Sequence, residues 1–163
     1  MRSDNSKNES GMTLVESLIA VLILSVGLLT LAQVLAFSIM ASKTHGKDAG
    51  KATAAAQEKL EELVGLQFSD VTTDLTVNPP ASTGGTGLTQ GGSVYPSEPV
   101  SGYSDYVDAT GSRIEAADAA YTRQWQITNN SATLKTIAVS VTSNKSFQYG
   151  TAPSTVLITQ KAP

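Results

Sequence analysis

The stretch Gly11-Met12-Thr13-Leu14-Val15-Glu16 stands at the mouth of a run, Ser17 to Ser42, that contains no charged residue. A hydrocarbon core about 30 Å thick needs about 20 apolar residues at helical rise. Leu18 to Ala41 (LIAVLILSVGLLTLAQVLAFSIMA) is longer than that, with Ser25, Thr30, Gln33 and Ser38 as its polar breaks. A carboxylate at the edge of such a segment costs on the order of a few kcal/mol if driven into lipid, so Glu16 is expected to have a partner and a role. Ahead of it, residues 1–11 (MRSDNSKNESG) are polar, with Arg2 and Lys7 balanced by Asp4 and Glu9, and read as a leader. An ordinary secretory signal cut near Ala36 or Ala41 is the alternative, but the apolar run far exceeds an h-region of about 7–15 residues.

Ser10-Gly11 followed by Met12-Thr13-Leu14-Val15-Glu16-Ser17-Leu18-Ile19-Ala20 resembles the class III signal of type IV pilins and pseudopilins: a short polar leader ending in Gly, a cut, a Met or apolar first residue, then Thr-Leu-x-Glu running into an apolar helix. The wording VESLIAVLILSVGLLTLAQ is most similar to minor pilins of the PilV type. The resemblance implies an α+β pilin fold, a long N-terminal helix packed on a small antiparallel sheet. It implies a prepilin peptidase and methyltransferase that cuts between Gly11 and Met12 and methylates the new amine of Met12. It also implies a bilayer before assembly, an inner-membrane assembly platform, and other major and minor pilins in a filament. Gly11 has a steric reason at the cut, since a residue without Cβ admits catalytic groups close to the backbone. Glu16 would neutralise the Met12 amine of a neighbour and set the axial register, because a buried charge left unpaired costs several kcal/mol while apolar packing tolerates sliding. Leu14, Leu18, Val21, Leu24, Leu28 and Leu31 would then line the filament core. Lys43, Lys47 and Lys51 follow the span and only Arg2 and Lys7 precede it, contrary to the positive-inside bias. The cleavage motif decides the orientation, because the leader must stay cytoplasmic to be cut.

The rest of the chain divides by composition into residues 12–42 (transmembrane or filament-core helix), 43–67 (amphipathic helix), 68–120 (variable loop) and 121–163 (sheet). From Met12 the helix is expected to reach about Leu66, with Gly46 and Gly50 a weak joint at about 1 kcal/mol each relative to Ala. Some 55 residues would give about 80 Å of helix. Beyond the joint, Ala52, Ala55, Ala56, Leu60, Leu63 and Val64 recur at i, i+3 and i+4, with Gln57, Glu58, Lys59, Glu61 and Glu62 facing away. Asn78-Pro79-Pro80, Gly84-Gly85, Gly91-Gly92, Pro96 and Pro99 break any long element in 68–120. Then Tyr121, Arg123, Trp125 and Ile127 share one face of a strand, Asn129-Asn130 turns, Leu134 to Ser143 points Ile137, Val139 and Val141 inward, and Thr155 to Gln160 forms a third strand. This strand pair also looks PilV-like, although Thr142-Ser143 stands where many relatives carry an aromatic.

At 163 residues there is room for one small head and no second domain. A net charge of −3 argues against a strongly basic nucleic-acid surface and leaves only a local patch open. With no cysteine there is no disulfide, thiolate metal site or thiol nucleophile. His45, the one histidine, makes no triad or metal site alone. Asp105, Asp108, Glu115 and Asp118 are loop carboxylates whose spacing fits no EF-hand, which argues against Ca²⁺. Tyr121 and Trp125 are head packing or, in the sharper reading, an exposed recognition pair. Gly27 reads as a close helix contact. No phosphate loop, dinucleotide fingerprint or nucleophile elbow is present, so neither a cofactor nor an enzymatic activity is expected. The sequence reading is therefore a minor pilin of the bacterial inner membrane, single-pass and then extracellular in a pilus. The alternative is a minor pseudopilin of a type II secretion system, in a periplasmic pseudopilus. A third reading places a ligand surface on residues 68–120.

Overall fold

The computed structural model describes residues 13–146 and 151–163, so Gly11, Met12 and the leader lie outside it. Its order is α1 (Leu14–Gly65), β1 (Gly91–Gly92), β2 (Ser104–Val107), a 3₁₀ turn (Ala116–Asp118), β3 (Tyr121–Ser131), β4 (Leu134–Ser143) and β5 (Ser154–Lys161). The chain forms two compact units that meet between Lys43 and Thr44.

In the first unit α1 is apolar all round and carries a window of mean hydropathy 2.6, long and apolar enough to cross a membrane. Its polar breaks are satisfied inside the helix: the Ser25 hydroxyl donates to the Val21 carbonyl and that of Thr30 to Val26, both at 2.7 Å. Such bonds remove the cost of an unpaired hydroxyl in a medium without water. The expected weak joint is helical throughout, Gly46 and Gly50 included.

In the second unit the later part of α1 packs against a five-stranded antiparallel sheet in the order β1-β3-β4-β5, with β2 also paired to β3. This is the expected α+β arrangement of a long helix on a small antiparallel sheet. Inward residues of β3 and β4 lie opposite one another, Trp125 to Val139 and Ile127 to Ile137, and join Ala52, Ala56 and Leu63 of α1 in one core. Three details differ from the sequence reading. Asn129-Asn130 is not the turn. β3 runs on to Ser131, whose partner is Leu134, through an irregularity between Asn129 and Ser131, so Ala132 and Thr133 make the connection. Residues 68–120 supply two strands. β1 is Gly91-Gly92, where φ is +83° at Gly92 and any Cβ would collide with the Trp125 carbonyl, so only glycine admits this pairing. The third concerns α1, whose buried stripe is Asp48, Ala52, Ala55, Ala56, Lys59 and Leu63. Lys59 faces inward and Val64 is exposed, the reverse of their expected places.

Candidate functional site

The N-terminal site is built by the first turn of α1. Thr13 precedes the first helical residue, and its hydroxyl accepts the Glu16 backbone N–H at 3.3 Å. Thr13-Leu14-Val15-Glu16 is thus a capping-box sequence, Thr at N-cap and Glu at N3, with the carboxylate in the turn where the helix dipole favours an anion. The capping signal was legible in the sequence and was missed there. A cap contributes about 0.5–2 kcal/mol, whereas leaving a buried charge unpaired costs several, so capping alone does not replace the expected register role of Glu16.

Leu14, Leu18, Val21, Leu24, Leu28 and Leu31 all lie exposed, between 59% and 77%. Exposure is uniform around the helix rather than confined to one face, since Val15, Ile19, Leu22, Ile23 and Leu29 are equally open. Each such side chain gains roughly 1.5–3 kcal/mol when withdrawn from water. More than a dozen of them amount to tens of kcal/mol, which requires lipid or other helices around this segment.

In the head, sequence reasoning treated Asp105 as a loop carboxylate; it is instead the centre of a buried ionic cluster. β2 turns Asp105 and Val107 inward. The Asp105 carboxylate accepts Arg123 Nε at 2.7 Å and Arg123 Nη2 at 2.8 Å, a two-pronged pair, and Lys59 Nζ at 3.0 Å, with Arg113 Nε at 3.2 Å. Lys59 also donates to the Leu75 carbonyl and to Glu62, and its ammonium sits 4.1 Å from the centre of the Trp125 ring. Arg113 bonds Glu62 and the Val77 carbonyl. Burial opposes ionisation of Asp105 most strongly, but Arg123 and Lys59 outweigh it and hold the carboxyl below its ordinary range. Burial likewise pushes Lys59 down, against the pull of Asp105 and Glu62.

A second buried pair joins α1 to the sheet. Asp48 accepts the Tyr121 hydroxyl at 3.1 Å and Lys145 Nζ at 2.7 Å. Lys145 leads the groups holding Asp48 low, while burial and the Asp48 charge push Tyr121 up to about 12. Asp108 accepts from Thr110 and Ser112 within its own loop, and Asp105 is fully engaged, so the four acids of this region do not converge. Among the described residues no acid or histidine cluster could hold a metal.

Tyr121 and Trp125 are 1% and 0% exposed, so they are core and not an exposed recognition pair. The indole N–H has no hydrogen-bond partner among the described residues, and Trp125 acts through its ring, against Lys59 and Tyr103. Trp125→Ala is expected to destabilise the head by about 3–5 kcal/mol and Trp125→Phe by clearly less, since Phe keeps a ring and forfeits no hydrogen bond. Thermal melts by circular dichroism check this, and equal losses in the two variants would show that the indole N–H matters.

No curated protein and no solved structure matches the chain. Residues 6–32 match the family described as the prokaryotic N-terminal methylation motif. That segment contains Gly11, Met12 and Glu16 and ends inside the uncovered apolar helix. The matched motif, which runs into the first part of one long helix whose later part packs on a small antiparallel sheet, supports a type IV pilin-like protein.

Proposed function

We propose that the chain is a minor type IV pilin, a structural filament subunit. In this reading it is cut between Gly11 and Met12, methylated at Met12, held in the inner membrane by a single span, and passed by an assembly platform into a pilus. The observation that carries it is a methylation motif leading directly into a helix segment with every apolar side chain uncovered. A filament of parallel copies covers that surface after the bilayer is left behind. The strand pair Tyr121–Ile127 and Val139–Val141, with the long Gly- and Pro-rich segment ahead of it, favours a pilus over a secretion pseudopilus.

Glu16 is the test. In a core of apolar helices the carboxylate of one copy offsets the Met12 ammonium of the next, and its removal leaves that cation unpaired. Glu16→Ala is expected to be processed at the normal rate yet recovered at least roughly tenfold less in sheared extracellular fibres, each 1.4 kcal/mol being a factor of ten. Unaltered recovery would refute the register role. Finding the unsubstituted chain only in envelope fractions with none in sheared fibres would favour the pseudopilin.

A further inference from the structure

The Ser143 N–H donates to the Pro153 carbonyl at 3.0 Å, and these two residues continue the register in which Thr142 of β4 faces Ser154 of β5. An N–H bonded to the residue directly opposite marks a hydrogen-bonded antiparallel pair, and such pairs alternate with pairs whose backbone groups point away from each other. Thr155, Leu157, Thr159 and Lys161 therefore direct their N–H and C=O groups to β4, while those of Ser154, Val156, Ile158 and Gln160 point to the far side of β5. The Trp125 N–H, bonded to the Tyr103 carbonyl at 3.0 Å, fixes the same phase from the other side of the sheet, turning Gln124 toward β4 and hence Ser140 toward β3. Among the described residues no backbone group pairs with the far side of β5. The opposite edge is covered, since the Ile114 N–H donates to the Tyr106 carbonyl of β2 at 3.0 Å and Arg113 bridges Val107. β5 lacks the features that blunt an edge: Ser154 to Gln160 has no charge, proline or glycine, and its register with β4 runs without a bulge. Its outer side chains Val156 and Ile158 are 50% and 68% exposed, whereas Leu157 packs against the core and Thr155 meets Thr53 of α1.

A row of evenly spaced donors and acceptors is matched only by a chain that is itself extended. We propose that the open edge of β5 docks an extended segment of another protein, added to the five-stranded sheet as a further strand, with one apolar residue against Val156 and a second, two residues along, against Ile158. Charge complementarity sets the flanks of that segment. Residues 119–163 carry Arg123, Lys135, Lys145 and Lys161 and no acid, so acidic residues beside the apolar pair are favoured over basic ones. A second copy of the chain offers only its own β5. That strand runs along the later part of α1, because Thr155 meets Thr53 and the Lys161 ammonium donates to the Val64 carbonyl at 2.6 Å. Antiparallel pairing of two β5 strands would set the two helices head to tail, contrary to the parallel copies of the filament reading. Parallel pairing would turn the exposed Val156 and Ile158 of one copy to the face that α1 covers in the other. The filament reading enters only in setting aside the second copy; the docking edge itself rests on the sheet.

Amide exchange measured residue by residue on the full chain in lipid nanodiscs tests this. Alone, the Val156 and Ile158 amides are expected to exchange at least roughly tenfold faster than those of Leu157 and Thr159. The peptide Glu-Ser-Val-Thr-Ile-Thr-Glu, blocked at both ends, is expected to slow them at least roughly threefold, the factor 1 + [L]/Kd at twice Kd. The same peptide N-methylated at its Val, central Thr and Ile keeps the apolar contact but cannot pair, and is expected to slow neither. Ile158→Pro removes an N–H that faces the open edge and none that bonds β4, so the melting temperature is expected to hold while the peptide no longer slows Val156. Should that variant fail to fold, Val156→Glu with Ile158→Glu sets like charges against the peptide and is expected to abolish the effect. Val156 and Ile158 amides already slow in the chain alone would mean that the edge is filled, by a second copy if dilution frees it and by the chain's own residues if it does not. Either result would overturn the proposal. Slowing by the N-methylated peptide as well would reveal apolar adhesion without strand pairing, and slowing by neither would reveal an edge closed to strands; both overturn the docking edge and leave the filament reading to the fibre-recovery test of Glu16→Ala.

Discussion

Asp105→Ala is expected to destabilise the head by about 3–5 kcal/mol, the usual cost of removing one partner from a buried charge pair. Against a typical total of about 5–15 kcal/mol this leaves a head that is partly unfolded at growth temperature. Lys59 and Arg123, both 0% exposed, would face each other without the carboxylate that holds them together. Lys59, already held low by burial, would lose its main counter-charge. Asp105→Asn separates charge from volume, since it keeps the side chain's size and one acceptor and removes the anion; it is expected to lose most of the same stability at neutral pH. The sign of the pH dependence follows from the direction of the shift. Because the folded carboxyl is held below its ordinary value, its contribution is complete above about pH 4 and disappears as pH falls through the depressed value. The gap between the unsubstituted chain and Asp105→Asn is therefore expected to close in acid. Fluorescence of Trp125, the only tryptophan and 4.1 Å from the Lys59 ammonium, reports the melt directly. A gap that stays constant down to strong acid would mean that Asp105 matters for packing and not for charge.

The long helix was legible because an uncharged run of this length has few other solutions, and the strands β3 and β4 because Tyr121, Trp125 and Ile127 alternate with polar residues. The ionic cluster was not. Lys59 occupies a position three after Ala56 and four before Leu63, so spacing alone placed it inward, but its charge argued outward. Its burial is made tolerable chiefly by Asp105, 46 residues on, together with Glu62 and the Leu75 carbonyl. Asp105 itself gave no alternating signal, because β2 has just four residues and follows a glycine- and proline-rich stretch. β1 was invisible for a related reason, since Gly91 and Gly92 carry no side chains to show a period. Asn129-Asn130 misled in the opposite direction, as turn-forming residues carried along by a strand whose register is already fixed by Trp125 against Val139 and Ile127 against Ile137. Lys135 adds one more case: it is 8% exposed and donates to the Phe68 and Leu88 carbonyls, tying the long loop to the sheet through backbone atoms that no sequence pattern announces.

Gly11→Leu is expected to leave the full-length precursor in the membrane, with processing reduced at least roughly a hundredfold, a barrier of about 2.7 kcal/mol. In the sequence the peptide between residues 11 and 12 precedes Thr13, the residue that caps α1. A protease working at the membrane face then needs only that nothing project from the residue before the cut, and a leucine side chain projects where catalytic groups must approach. Gly11→Ala is the calibrating variant: one methyl is expected to slow cleavage without abolishing it, whereas a requirement for glycine's backbone freedom would make alanine and leucine equally poor. Intact mass and N-terminal mass spectrometry distinguish the outcomes, the product of the proposed processing beginning with N-methylated Met12. An uncut chain also lacks the α-amine that Glu16 is proposed to meet, so Gly11→Leu and Glu16→Ala should both empty the filament fraction while differing at the N-terminus. If Gly11→Leu were instead cut and methylated normally, the steric account of the cleavage site would be wrong even though the apolar helix beyond it remained a membrane span.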